Sequence, residues 1–401
     1  MDINHCEVGN IAMSRLRFST KLIIVFILVM LCSGCFLWRE IVDVGDGVDD
    51  GTNETGIDIT QFGVRSNVVE CQAKAINAAI AEVSKHPGGG ILYFPAGKYY
   101  IGPDAQILLA PKVDLRGAGT GKTVIWGDNG GRYLVGSRSG ELKVAVCQLT
   151  LENPERLILL QHISDIEFFE TEFLKGMVRF ENSARILIDH CCFADNAGKA
   201  AYASDACTDV RLTNNEVINP KEGGFNLSRH QNSYVADNFI YSETNIQSGY
   251  AGIRLPNSAQ NNVVVNNEII RMGRGIFVLS SSEYNLVENN RIDRSTSQGI
   301  FVESSHNLIR NNIIQDAGAE AVYVADSSSV TPSKAHYNLI EGNRIFDTYT
   351  NPNIEHKRNV GLKIYGQGNE VCSNTVNGAY GRRFKEISSG NVDSGNIYIG
   401  K

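Results

Sequence analysis

The chain has 401 residues, 42% of them hydrophobic and 20% charged, with a formal net charge of −7. An ordinary apolar fraction with modest charge excludes disorder over most of the length, and the acidic balance argues against nucleic acid as a partner. Nine cysteines are too sparse for a disulfide-stapled miniprotein and lack the paired Cys-x-x-Cys spacings of a zinc ribbon.

The N-terminus reads as an address. Arg15, Arg17 and Lys21 precede the apolar run Leu22 to Leu31, and Ser33-Gly34-Cys35 follows. A basic start, a short apolar core and small residues describe a secretory signal over residues 1–34. The apolar run falls short of the roughly 20 residues needed to cross a bilayer. Cys35 directly after Ser-Gly resembles a bacterial lipobox, with Cys32 standing where that pattern usually has Leu. The resemblance implies a lipid on Cys35, a membrane anchor, and a place in the extracytoplasmic cell envelope, on the outer-membrane or periplasmic side in a Gram-negative host. Met13 is an alternative start to Met1. Residues 35–56, with Asp43, Asp46, Asp49, Asp50 and Glu54 among glycines, read as an acidic flexible tether.

Residues 57–120 are expected to form an N-terminal cap and the first coils of a solenoid that continues over 121–401. Cys71 to Val83 has apolar residues at helical spacing and predicts one short helix to cover an apolar end. Downstream, asparagine dominates: 37 in the chain, 28 of them after position 213. This residue tolerates left-handed backbone and bonds its own main chain in turns, so the region reads as repeated tight turns. Aligning Asn-x-hydrophobic turns gives Asn215, Asn238, Asn267, Asn290, Asn312, Asn343 and Asn374, spaced by 23, 29, 23, 22, 31 and 31 residues. Short strands of one form recur between them: Gly224-Phe-Asn-Leu227, Gly252-Ile-Arg-Leu255, Gly275-Ile-Phe-Val278, Gly299-Ile-Phe-Val302, Ala321-Val-Tyr-Val324 and Gly361-Leu-Lys-Ile364. The spacing leaves no room for a helix in each repeat and predicts coils of an all-β parallel β-helix with a stacked Asn ladder. Upstream, Asp165 to Leu174 and Arg185 to Phe193 fall in the same frame, with Thr171 and His190 expected at the ladder position. That reading makes the Asp189-His190 pair structural. Six cysteines beyond Cys35 (Cys71, Cys147, Cys191, Cys192, Cys207, Cys372) sit mostly in strand-like apolar contexts and are expected as buried free thiols.

Ile57-Asp-Ile-Thr-Gln-Phe-Gly63, the helix, Gly88 to Ile101 (GGGILYFPAGKYYI) and Val113-Asp-Leu-Arg-Gly-Ala-Gly119 resemble the opening segment of pectate lyase-like right-handed parallel β-helix proteins. With the coils behind it, the resemblance covers residues 57 to roughly 390. The usual Gly-Asp-Gly and Asp-Asp-Thr stretch after Phe-Gly is replaced by Val64-Arg-Ser-Asn-Val-Val-Glu-Cys71, which leaves the subfamily open. The resemblance implies polysaccharide-active enzymes above all (lyases, hydrolases, uronate epimerases), while the same fold also serves as tailspike and scaffold. Function must therefore be argued from a site.

Strand alternation sends the Ile and Val of Gly-Ile-x-Val inward and x outward. Read down the stack, x gives Arg179, Asn226, Arg254, Phe277, Phe301, Tyr323 and Lys363, on neighbouring rungs about 4.8 Å apart. Cations, an amide and three aromatics form an uncommon exterior for a solvated sheet. Aromatics lie under sugar rings and Arg or Lys pairs with carboxylate, so the row is a candidate site for an acidic polysaccharide. Packing of the aromatics beneath the long connections at Ser242–Tyr250, Ser327–Ala335 and Thr348–Asn359 is the competing reading. β-Elimination of a uronate needs a base, a cation against the carboxylate and an acid for the leaving oxygen. Arg254, His230 and Tyr250 are the candidate catalytic group, with Arg229 beside it. A second cluster joins Lys363 and Tyr323 to His356, Lys357 and Arg358.

Calcium-dependent lyases place several Asp on the outward row, and here it carries none, so no cofactor is identified and a divalent cation such as Ca2+ has no support in the residues. The Asn-x-Asp, Asp-Asp, Gly-His-Gly and Arg-x-Lys series of polygalacturonase-type hydrolases is missing, as is the Asp-Pro-His-Asp signature of uronate epimerases. Glu303 faces outward beside Phe301 and is the remaining candidate for a hydrolytic carboxylate pair, with Glu320 and Asp326 expected solvated at strand ends. The sequence thus leads to a monomeric polysaccharide lyase acting on an acidic chain. A non-catalytic glycan-binding or envelope-assembly protein is the alternative, and a glycoside hydrolase or uronate epimerase the third reading.

Overall fold

The computed structural model describes residues 56–128, 131–327, 333–348, 360–378 and 383–400. The expected signal, Cys35, almost all of the tether, and His356, Lys357 and Arg358 lie outside the described residues. The rest is a parallel β-solenoid, each coil built from three short strands. In one coil Phe225–Ser228, Tyr234–Ala236 and Phe239–Tyr241 follow one another before the chain rises to Ala251–Leu255, and these strands pair in parallel with the next coil. Among the described residues the first strands stack as a 12-stranded parallel sheet, sheet 1. The second and third strands form sheets 2 and 3, which merge where Gly140–Glu152 and Ile163–Leu174 run on around their shared corner.

Alternation along each short strand turns one residue in two inward, so stacked Ile, Val, Leu and Phe fill the interior as one continuous core from Ile59 to Val376. Gly275 and Gly299 open strands of sheet 1 for a steric reason. A Cβ there would lie 2.6 Å from Ile292 Cγ2 and 2.5 Å from Ile314 Cγ2 of sheet 3.

The corner between sheets 2 and 3 turns on a left-handed residue followed by the ladder asparagine. Asn214, Asp237, Asn266, Asn289 and Asn311 have φ between 53° and 58°, a region that Asn and Asp enter at small cost. The seven predicted asparagines stack as expected, each Nδ2 donating to the Oδ1 of the next at 2.8–3.0 Å, and the run continues to Asn396. Each Oδ1 also accepts the backbone N–H of its predecessor, as Asn290 does from Asn267 at 3.0 Å. Upstream, Thr171 is buried at this level, but His190 is not. The ladder place belongs to Cys191, whose N–H donates to Asn215 Oδ1 at 3.0 Å, while His190 is the left-handed residue before it, with φ 51°. A second ladder, unforeseen, lines the corner between sheets 1 and 2 through Asn262, Asn285, Asn307, Asn338, Asn369 and Asn391, with amide contacts of 2.9–3.3 Å.

The predicted helix, α1, spans Ala73–Val83 and buries Ala73, Ile76, Ala79, Ile80 and Val83. Asn77 pins it, donating to the Gln106 carbonyl and accepting from Leu108 N–H, both at 2.8 Å. In the last described coil the inward places of Leu362, Val371 and Val376 pass to Lys385, Asp393 and Tyr398. Lys385 pairs with Asp393, and the Tyr398 hydroxyl donates to the same carboxylate at 3.2 Å, so the apolar stack gives way to a polar layer. The six downstream cysteines are free, yet only Cys191 and Cys207 are buried and Cys71 is exposed. Strand alternation turns Cys147, Cys192 and Cys372 partly outward, and Cys71 lies just before the helix, which corrects the expectation of buried thiols at these positions.

Candidate functional site

The candidate site lies on the outer face of sheet 1, across β1 (Phe225–Ser228), β2 (Ala251–Leu255), β3 (Arg274–Val278), β4 (Ile300–Val302), β5 (Val322–Val324) and β6 (Val360–Ile364). Register aligns Asn226, Arg254, Phe277, Phe301, Tyr323 and Lys363 on consecutive coils. Arg179 falls in the same column with Ala203 between it and Asn226, and it is paired with Glu181, outside the cluster.

The three aromatics stack on one another. Phe277 and Phe301 are 4.7 Å apart with planes 4° from parallel, and Phe301 and Tyr323 are 4.8 Å apart at 7°. Their faces are therefore spent within the ladder. Arg254 Cζ lies 5.8 Å from the Phe277 ring at one end and Lys363 Nζ 5.1 Å from Tyr323 at the other, so cations approach the π-faces left at both ends. Arg274, which the sequence reading missed, lies 4.7 Å from Phe277 and 5.5 Å from Phe301. Phe277 and Phe301 keep only 6% and 8% exposure. Neither can lie flat beneath a sugar, which corrects their expected role as stacking platforms; a parallel sheet sets rings one rung apart, the distance at which they stack on each other.

Arg254 donates from Nη1 to Asn226 Oδ1 at 3.1 Å and lies 5.0 Å from the Tyr250 ring. Its Nε is buried and, among the described residues, without a hydrogen-bond partner. Arg274 donates from Nε to Gln298 Oε1 at 2.9 Å and from Nη1 to the Gly249 carbonyl. Among the described residues neither guanidinium forms an ion pair. Burial lowers the pKa of both, and Glu303 is the carboxylate whose field opposes that. Glu303 itself is half-buried and bonded to Ser327; burial pushes its carboxyl above the ordinary range, with Arg274 and Arg254 pulling the other way. Gln298 carries the network on, donating to Glu320 Oε2 at 2.9 Å, and Lys363 pairs with Glu320 Oε1 at 3.1 Å. Glu320 is thus buried at 3% exposure, against the expectation of a solvated group, because it answers Lys363. Asp326 stands apart, paired with Lys334 at 2.6 Å and His336 at 3.4 Å.

His230 leaves the site altogether. It is fully buried inside the solenoid, its Nε2 2.6 Å from Ser204 Oγ and its Nδ1 3.0 Å from Ser233 Oγ. Burial pushes its pKa down to about 3. The corner after β1 turns inward at this residue, so adjacency in sequence to Arg229 places the two on opposite sides of the wall. Arg229 is at the outer corner, paired with Asp205 of the preceding coil. The structure thus unites Tyr250, Asn226, Arg254, Phe277, Phe301, Tyr323 and Lys363, adds Arg274 and Gln298, places on the same face Glu303, which the sequence offered as a hydrolytic carboxylate, and separates His230, Arg229 and Arg179. Arg274 was legible in principle, since Arg274, Gln298 and Glu320 each precede the Gly or Ala that opens a strand of the repeat.

Two family models match parts of the chain: "Right handed beta helix region" over residues 237–378 and "Periplasmic copper-binding protein (NosD)" over residues 118–295. The donor set within the second span does not fit copper. His230 is engaged by two serines, His190 Nδ1 lies 2.8 Å from Asp189 Oδ2, and among the described residues no three His, Cys, Asp or Glu side chains are grouped to hold a metal. No curated protein sequence matches. Among solved structures, the A-module of Azotobacter vinelandii mannuronan C-5 epimerase AlgE6 is similar at 17% identity, with 86% of this chain and 100% of that one covered and a TM-score of 0.58. The AlgE4 A-module of the same organism is 17% identical over 86% and 96% of the two chains, with a TM-score of 0.54. The tailspike of E. coli bacteriophage HK620, solved with a pentasaccharide, is 12% identical over 85% and 65%, with a TM-score of 0.55. These likenesses concern the fold, and with the parallel register of the coils among the described residues they establish that this chain is a right-handed parallel β-helix protein.

Proposed function

We propose that this protein is an extracytoplasmic, lipid-anchored enzyme that cleaves a uronate-containing polysaccharide by β-elimination on the outer face of sheet 1. The observation that carries the proposal is Arg254, a half-buried guanidinium whose buried Nε has no hydrogen-bond partner and which forms no ion pair among the described residues, beside Arg274, a second half-buried guanidinium that likewise forms no ion pair among them. Buried cations are normally paired, so the pair is a built receptor for an anion that arrives from outside. A carboxylate meets such a fork with charge-assisted bonds, and neutralising it stabilises the charge that develops when the neighbouring C5 proton leaves. Tyr250, against Arg254, is the group to protonate the departing oxygen. The similarity to a mannuronan epimerase module and to a tailspike solved with a pentasaccharide supports a saccharide ligand. The partial match to a periplasmic family, with the signal-like N-terminus, supports the location.

The test is to incubate the protein with alginate, pectate and glycosaminoglycans while following the ultraviolet absorbance of an unsaturated uronate. Product is expected with one of them, and Arg254→Ala should weaken binding by about 1.5–3 kcal/mol, ten- to over a hundredfold. Binding without product favours the glycan-binding alternative. Inversion at C5 without cleavage favours an epimerase, which shares the first proton step. An inert protein that binds none of these chains defeats the proposal.

A further inference from the structure

Arg254, Arg274 and Glu303 place two positive charges and one negative charge on the outer face of sheet 1, Glu303 two residues beyond Phe301, within range of one another's fields yet with no ion pair among the three. Each is held by a separate neutral partner: Arg254 by Asn226, Arg274 by Gln298 and the Gly249 carbonyl, Glu303 by Ser327. The groups facing Glu303 are Arg254 from β2, Arg274 from β3, Ser327 beyond β5, and Tyr323 on β5, whose hydroxyl feels the Glu303 charge. Salt-bridge closure is the ordinary fate of such a trio, and tethering to neutral partners is what keeps the three charges apart. From this we infer that Glu303 is the residue that takes the C5 proton, with the substrate carboxylate held between Arg254 and Arg274.

The inference rests on the proposed elimination and deepens it. C5 is bonded directly to the carboxylate carbon, so a carboxylate gripped by two guanidiniums places the C5–H within reach of a side chain that shares their face. In the step, the Glu303 carboxylate takes the C5 proton, and the C5–H electron pair becomes the second bond of C4=C5. The C4–O bond breaks with its pair passing to the bridging oxygen, which takes the Tyr250 hydroxyl proton. Two shorter chains result, one ending in the new hydroxyl and the other in the unsaturated uronate, with no oxidant and no water consumed; afterwards Glu303 returns its proton to solvent and Tyr250 regains one. A carboxyl held above its ordinary range is a stronger base than a solvated one, which suits the task. His230, neutral and sealed in the core, leaves that task open.

The experiment compares parent, Glu303→Gln and Glu303→Asp on the same polyuronate panel, with affinity and turnover measured separately. Glu303→Gln preserves shape and the Ser327 hydrogen bond, so it should bind within a few-fold of parent yet lose about a hundredfold or more in turnover, the contribution expected of a general base. Glu303→Asp should recover part of the rate. Parent turnover should rise with pH as Glu303 loses its proton, and that limb should vanish from the residual activity of Glu303→Gln. Turnover retained within about tenfold in Glu303→Gln overturns the assignment and leaves the elimination standing. A parent that binds polyuronate without turning it over defeats the elimination and Glu303's role with it, while a parent that binds none of the panel defeats the site itself.

Discussion

His230 separates a core residue from a catalytic one by its response to acid. In His230→Ala the imidazole volume becomes a cavity and Ser204 and Ser233 lose a partner. Truncation of a buried ring with loss of two hydrogen bonds costs about 2–4 kcal/mol near neutral pH. The parent histidine has a second signature, since its pKa falls from the ordinary 6.5 to about 3 on folding. A folded-state pKa depressed in this way means that the unfolded chain binds the extra proton first. Stability from neutral His230 is therefore fully present above pH 6.5 and lost as pH falls from there toward 3. By about pH 4 the parent has surrendered roughly 3 kcal/mol through this group, whereas the alanine variant has surrendered none. Other acidic groups titrate alike in both proteins and cancel in the difference. Urea unfolding at several pH values should show the variant's deficit shrinking toward zero as pH falls. A deficit that is constant with pH, or a variant of parental stability that has lost only turnover, refutes the buried assignment.

Asn290→Ala removes the acceptor of the Asn267 N–H and a donor to the Val264 carbonyl. It should cost about 1–3 kcal/mol for each group left unpaired and speed hydrogen exchange at the Asn267 amide; unchanged protection there contradicts the ladder. Phe301→Ala should lower unfolding stability by about 2–4 kcal/mol with little change in polyuronate affinity, because the ring is packed between Phe277 and Tyr323; the reverse pattern in unfolding and binding assays restores the sugar platform. Cys35→Ala should abolish incorporation of labelled fatty acid and release the protein from membranes, and a variant that stays membrane-bound points to Leu22–Leu31 as an uncleaved anchor.

Local periodicity carried most of the fold. The spacing of Asn215 through Asn374, the Gly-Ile-x-Val strands and the helical spacing of Cys71–Val83 each report a constraint between a residue and its own coil or its aligned neighbour. A repeat makes such constraints visible in one dimension. The outward row was legible for the same reason, because strand alternation fixes which side a residue faces. Corners were not. A left-handed residue shifts the in-out pattern by one place, so Cys191 rather than His190 occupies the ladder, and His230 points into the core though Arg229 does not. Interactions between coils were decided by tertiary structure as well. That Phe277, Phe301 and Tyr323 spend their faces on each other follows from the rung spacing and from side-chain orientation, neither of which a residue type declares. Arg254 and Arg274 are ordinary arginines in the sequence. They become a site only because the fold half-buries both, ties each to a neutral partner and sets Glu303 on the same face without an ion pair among the described residues.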